Sequence, residues 1–277
     1  MYTDKIKRLL VHSRPRFWLY LLGPVLVAGA VVGPNAFTTY TFWAFFLFTT
    51  LPANLYLYGV NDLADRDTDK YNKKKEDKEA KAKKKDTLLR TSVYVSFVVP
   101  LLLLLFLSLE ASIILLLYVF LATFYSLEPL RFKANPFIDS FSNVLYILPG
   151  VALYTELSQT LPSLLAVLGG WAWTAAMHLF SAIPDIEPDK KAGLTTTAVL
   201  LGERKSLVLC FTLWTVATGV AFYFAEVLGI LSLVYPLLTL LPLFDIKIID
   251  KQYWWYPYIN GVLGFLLFWL LLLPRLI

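Results

Sequence analysis

Residues 39–69 read TYTFWAFFLFTTLPANLYLYGVNDLADRDTD. The first 22 of them are almost wholly apolar, and the last nine carry four aspartates. A bilayer core about 30 Å thick needs roughly 20 apolar residues to cross it. Asn61 therefore marks the place where a membrane helix ends and a carboxylate-rich segment begins.

The rest of the chain has the same character. Its 277 residues are 58% hydrophobic and 16% charged, with a mean hydropathy of +0.63, a composition that excludes an ordinary soluble domain. Nine apolar stretches are long enough to span: 17–34, 39–60, 91–108, 111–127, 139–156, 161–183, 206–225, 228–244 and 254–273. The expectation is an all-α, multi-pass integral membrane protein of nine transmembrane helices, a single domain over 1–277 in a lipid bilayer, with no nucleic-acid partner. The first stretch lacks a small-residue cleavage site and leads into further spans, so it reads as retained. The single cysteine, Cys210, lies in an apolar stretch and excludes an internal disulfide.

Charge placement tests the count. Of the 25 Lys and Arg, 24 fall before the first span or in alternate loops, and only Arg275 lies opposite. The positive-inside rule then puts the N-terminus and the long loops in the cytoplasm. The most charged loop, at about 70–90, contains KYNKKKEDKEAKAKKKD. It reads as a solvated segment resting on anionic headgroups, as a lid over the site, or as both.

Two aspartate clusters stand at equivalent ends of the second and sixth spans. On a continuing helix Asn61, Asp65 and Asp69 recur every four residues with Asp62 beside them, so four oxygen ligands share one face and Asp67 points elsewhere. In the second cluster Asp185 and Asp189 are also four apart; Pro184 suits a helix start and Pro188 bends the next turn. So many carboxylates gathered at a membrane surface require a cation among them, and oxygen-only ligands favour Mg²⁺ or Ca²⁺ over zinc or haem. Mg²⁺ commonly joins a few carboxylates to phosphate oxygens, which makes the facing clusters a diphosphate cradle. Arg14, Arg66, Arg131, Lys133, Lys190 and Lys191 share that side and are candidates for the remaining phosphate oxygens, although each also serves as a topology signal. Asp65, Asp67, Asp69 and Glu76 match part of an EF-hand pattern, but Lys70 stands where that loop needs glycine. His178, inside a span, is read either as a packed core histidine or as a substrate contact.

NDxxDxxxD from Asn61 and DxxxD from Asp185 resemble the two metal-binding signatures of UbiA-type intramembrane prenyltransferases. The likeness extends through Ser13-Arg14-Pro15-Arg16 and through Tyr125 to Lys133. It implies a UbiA-like bundle in which Asn61, Asp62, Asp65, Asp69, Asp185 and Asp189 hold two Mg²⁺, with Asp65, Asp69, Asp185 and Asp189 catalytic. It also implies that Arg14, Arg66, Tyr125, Arg131, Lys133 and Lys190 meet an allylic diphosphate. The stretch Ala182 to Ala198 is most similar to the lycopene-elongase branch, which implies dimethylallyl transfer to a lipophilic carotenoid such as lycopene. Small residues Ala172, Ala175, Ala176 and Ala182 would then open a lateral path for the polyene or simply pack helices. The alternative acceptor is aromatic, such as 4-hydroxybenzoate or a quinone precursor. A transporter is the remote alternative, disfavoured because the carboxylates cluster at one face instead of the midplane. A CDP-alcohol phosphotransferase is disfavoured because neither cluster has a glycine directly after an aspartate.

Overall fold

The computed structural model of the chain describes residues 2–65 and 86–276. Arg66, Asp67, Asp69 and the lysine-rich run of the charged loop lie outside the described residues. Among the described residues every regular element is helical: α1 (Tyr2–His12), α2 (Trp18–Val32), α3 (Tyr40–Thr50), α4 (Pro52–Ala64), α5 (Thr87–Leu103), α6 (Leu109–Phe124), a short turn Ile138–Phe141, α7 (Leu148–Ser158), α8 (Leu164–Ala182), α9 (Ile186–Lys191), α10 (Thr197–Ala225), α11 (Val234–Phe244) and α12 (Ile248–Leu272).

Five helical runs are long and apolar enough to cross a bilayer: Pro15–Val32, Thr87–Phe106, Leu164–Lys191, Thr197–Phe244 and Ile248–Arg275. Large apolar side chains such as Leu105, Phe106, Tyr223 and Phe244 are exposed on their outer faces, as a hydrocarbon solvent permits. The chain is an integral membrane protein.

Not all nine apolar stretches are single helices. Pro52 has no N–H to continue α3, so the stretch 39–60 breaks at Leu51 into α3 and α4. The carbonyls released at the break are recovered by Asn54, whose Nδ2 donates to Thr49 O at 2.7 Å and Thr50 O at 3.0 Å. The stretch 139–156 is likewise broken: Ser142–Tyr146 forms a 3₁₀ turn before α7 starts with Pro149 in its first turn. The seventh and eighth stretches run on through a 3₁₀ segment, Glu226–Leu233.

The helices α1 and α9 lie outside the nine apolar stretches. The basic N-terminus forms α1, which packs on α4, and Arg8 pairs with Asp86 at the start of α5. Asp86 also caps α5 by accepting from Leu89 N at 3.1 Å. Glycine permits a close helix approach: a Cβ on Gly150 of α7 would lie 2.6 Å from the backbone of Pro24 in α2.

Candidate active site

A cavity draws its walls from both halves of the chain. Arg14, Asn61, Tyr125, Lys133, Asp185 and Asp189 come from helix ends and connections and supply its polar part. Phe17, Tyr20, Tyr58, Tyr146, Phe180, Tyr253 and Tyr256 supply an aromatic part. Both broken stretches contribute: Tyr58 and Asn61 lie on α4, and Asn143 and Tyr146 on the 3₁₀ turn. Irregular backbone is tolerated at membrane depth where it faces protein or a cavity.

The first aspartate segment departs from the single-face expectation. Helix α4 stops at Ala64, and Asp65 is its cap, with its N–H on Asn61 O at 2.9 Å and φ/ψ of −92°/3°. Asn61 lines the cavity and donates from Nδ2 to Ser126 Oγ at 3.1 Å. Asp62, about 100° further round the helix, turns to the N-terminal segment, where it meets His12 Nδ1 at the end of α1 at 2.8 Å and Arg14 just beyond it at 3.0 Å. Asp65 turns to the connection after α6, pairing with Lys133 and, at 3.6 Å, with Arg131. Asp62 and Asp65 thus stand behind the cavity wall and hold the basic residues Arg14 and Lys133 that line it.

Local backbone explains how those bases arrive there. Arg14 adopts a left-handed conformation (φ 51°) between α1 and α2, and its guanidinium lies 4.8 Å from the Tyr58 ring centroid. Arg131 is also left-handed (φ 38°), turning the chain so that Lys133 N donates to Tyr125 O at 3.0 Å. Lys190 goes elsewhere: it is half exposed, paired with Glu187 at 3.1 Å, and outside the cavity wall.

Pro188 does not bend a helix in the second segment. The break comes earlier, in the 3₁₀ turn Ile183–Asp185, and a new helix starts at Ile186. Pro188 falls in its first turn, where a missing N–H costs nothing. Asp185 and Asp189 nevertheless both reach the cavity, and Thr196 Oγ1 donates to Asp189 at 3.4 Å.

Among the described residues no three acidic, histidine or cysteine groups form a ready-made metal cage. The oxygen donors Asn61, Asp185 and Asp189 in the lining of this one cavity still suit a hard cation that keeps several waters and shares its coordination with phosphate oxygens.

Residues 21–253 match the UbiA prenyltransferase family. The chain belongs to that family. It is a prenyltransferase. It is 46% identical over 258 residues to a lycopene elongase/hydratase of Haloarcula japonica, covering 92% of this chain and 88% of that relative. To a lycopene elongase/hydratase of Haloferax volcanii it is 44% identical over 270 residues, covering 95% and 88%. A UbiA homolog from Archaeoglobus fulgidus, solved bound to DMAPP and Mg²⁺, shares the fold with a TM-score of 0.65 at 20% identity, covering 94% of this chain and 99% of that one.

Several residues of this UbiA-family site escaped sequence reasoning. His12 reaches Asp62 across 50 positions. His178 is packed within α8, lines the cavity, and its Nε2 meets Tyr125 Oη at 2.6 Å, a partner that its spacing along the chain did not show. Asp139 is fully buried and accepts from Thr197 N at 2.8 Å and Ser140 N at 2.7 Å; a lone carboxylate inside an apolar stretch was the signal for it. Of the four alanines, Ala182 lines the cavity, whereas Ala175 and Ala176 are fully buried in the helix packing, with Cys210 Sγ 3.5 Å from Ala176 O.

Proposed function

We propose that this prenyltransferase moves a five-carbon prenyl group from dimethylallyl diphosphate to an end of lycopene or a related carotenoid, within the membrane and dependent on Mg²⁺. The observation that carries the reading is the cavity itself, where Asn61, Asp185, Asp189, Arg14 and Lys133 stand beside a chamber of tyrosine and phenylalanine rings. The extended likeness to proteins named lycopene elongase/hydratase supports the carotenoid acceptor, and the fold shared with a protein solved with DMAPP and Mg²⁺ supports the donor and the metal.

In this reading Asn61, Asp62, Asp65, Asp185 and Asp189, with Asp69 from outside the described residues, hold two Mg²⁺. When bound, the metal neutralises negative charge developing on the departing diphosphate. Arg14, Arg131, Lys133 and Tyr125, with Arg66 from outside the described residues, orient the phosphate oxygens; Lys190 has at most a peripheral part. Asp62 and Asp65 also pair with Arg14 and Lys133, so in this reading the two carboxylates are shared between the metal and the bases that meet the diphosphate. The aromatic rings present their π faces to the allylic cation and keep bulk water from it. A terminal double bond of the acceptor then attacks that cation, and the new tertiary cation ends by water capture or by loss of a proton to the released diphosphate. The cavity opens toward the cytoplasm, as the basic loops require.

The test is incubation of purified protein in lipid nanodiscs with labelled dimethylallyl diphosphate, Mg²⁺ and either lycopene or 4-hydroxybenzoate. Label in a carotenoid 45 or 50 carbons long, abolished by EDTA, is the expected result. Label in the phenol alone overturns the acceptor assignment.

A further inference from the structure

The aromatic chamber is shallow, and its inner end is built of rings. Its volume is about 250 Å³, below the roughly 300–1,000 Å³ common for small-molecule pockets. The lining runs from Asn61 to Leu57 on α4, from Phe17 to Tyr20 at the start of α2, and from Tyr253 to Tyr256 on α12. At 1.5 Å per residue each of these walls is roughly 4–6 Å deep. On α8 the lining includes Phe180, five residues before Asp185. The 3₁₀ and α-helical steps between them put Phe180 about 9 Å along the axis from Asp185. The Phe180 ring centroid lies 5.4 Å from Trp214 and 5.9 Å from Tyr256, and Trp214 and Tyr256 stack on one another at 5.6 Å. Tyr235 packs on both, at 5.7 Å and 6.1 Å. These four rings come from α8, α10, α11 and α12, and each is more than nine-tenths buried. Phe180 and Tyr256 face the cavity, with Trp214 and Tyr235 packed behind them. A ring held in this way does not swing aside without opening a void in a close-packed core.

We infer that Phe180, seated on Trp214 and Tyr256, is the specificity-determining residue that limits the donor to one isoprene unit. The inference rests on the proposed reading that an allylic diphosphate ionises at the polar end of this cavity. A dimethylallyl and a geranyl donor present the same allylic diphosphate there, so the metal and the bases do not tell them apart. They differ at the far end of the chain. With carbon–carbon bonds near 1.5 Å, a dimethylallyl chain ends about 5 Å from the bridging oxygen and a geranyl chain about 10 Å from it. The chamber walls accommodate the first length. The second drives its terminal carbons into the Phe180 ring, and a clash with a packed core rejects a ligand that would otherwise make every favourable contact.

The experiment compares wild type, Phe180→Ala and Phe180→Leu in nanodiscs with lycopene, Mg²⁺ and either labelled dimethylallyl diphosphate or labelled geranyl diphosphate, each supplied alone. Diphosphate release gives kcat/KM for each donor, and products are resolved by mass. Wild type prefers the dimethylallyl donor by at least about 100-fold. Phe180→Ala moves that ratio toward geranyl by at least about 30-fold and attaches the longer unit to the acceptor. Phe180→Leu, which keeps an apolar side chain without the ring, moves the ratio in the same direction by less. If emptying a ring-sized site leaves the alanine variant unfolded, the leucine variant decides. An active, folded variant that keeps the wild-type ratio, or a wild type that uses both donors equally well, overturns the inference and leaves the prenyl-transfer reading intact. A wild type that releases diphosphate from neither donor overturns that earlier reading and this inference with it.

Discussion

Tyr125 Oη lies 2.6 Å from Nε2 of His178, whose Nδ1 faces Ser140 Oγ at 3.3 Å. This contact ties α8, which leads into the second aspartate segment, to the connection carrying Arg131 and Lys133, because Tyr125 O also accepts from Lys133 N. His178→Ala and Tyr125→Phe should each raise KM for the allylic diphosphate about tenfold with a smaller effect on kcat. Their double variant should be no worse than either alone, since one interaction is removed once. Fully additive losses in steady-state kinetics would show that the pair does not act as a unit.

The bases divide by what holds them. Lys133→Ala, removing a cavity-lining ammonium held by Asp65, should cost at least about 100-fold in turnover. Lys190→Ala, removing a surface partner of Glu187, should stay within about threefold. Similar losses for the two, measured as diphosphate release, would refute this geometry.

Carboxylate removal should separate chemistry from folding. Asp62→Ala, Asp65→Ala and Asp185→Ala should each lower turnover by at least about 100-fold. The proteins should still extract from membranes as single species, with Mg²⁺ titration showing weakened activation. An Asp185→Ala enzyme with wild-type Mg²⁺ dependence would remove that residue from the metal site.

Ala176→Phe tests the lateral-path idea against packing. Because Ala176 is fully buried beside Cys210, the larger ring should overpack the helices and cost about 1–3 kcal/mol. Thermal unfolding in detergent should show a lowered Tm together with loss of diphosphate release. Selective loss of lycopene elongation at unchanged Tm would instead favour an entry path at this position.

Topology is open to cysteine labelling. A cysteine at Glu156 should react with an impermeant external reagent and one at Lys81 should not, while the buried native Cys210 stays silent. The reverse pattern would invert the assignment of the basic loops to the cytoplasm.

Much of the fold and part of the site are legible in the residues alone. Hydropathy marks the membrane helices because the hydrocarbon core imposes a length and a composition on each one. Proline marks the break at Leu51, although reading 39–60 as one span passed over it. The spacing from Asn61 to Asp65 and from Asp185 to Asp189 marks the clusters, because oxygen ligands for one cation must come close together.

By itself the sequence determined a helical membrane protein with two aspartate segments at equivalent helix ends, since burial in lipid and repetition along a helix are local properties of the chain. Tertiary structure alone decided which partners those aspartates take. Asp62 faces His12 and Arg14 only because α1 folds back onto α4, and Asp65 faces Lys133 only because Arg131 turns the connection after α6. The meeting of Tyr20 and Tyr256 at one cavity was likewise invisible, because it depends on α2 packing against α12. Pairings between residues 48 or more positions apart follow from how helices pack and where connections turn, and neither is encoded in the spacing within any one segment.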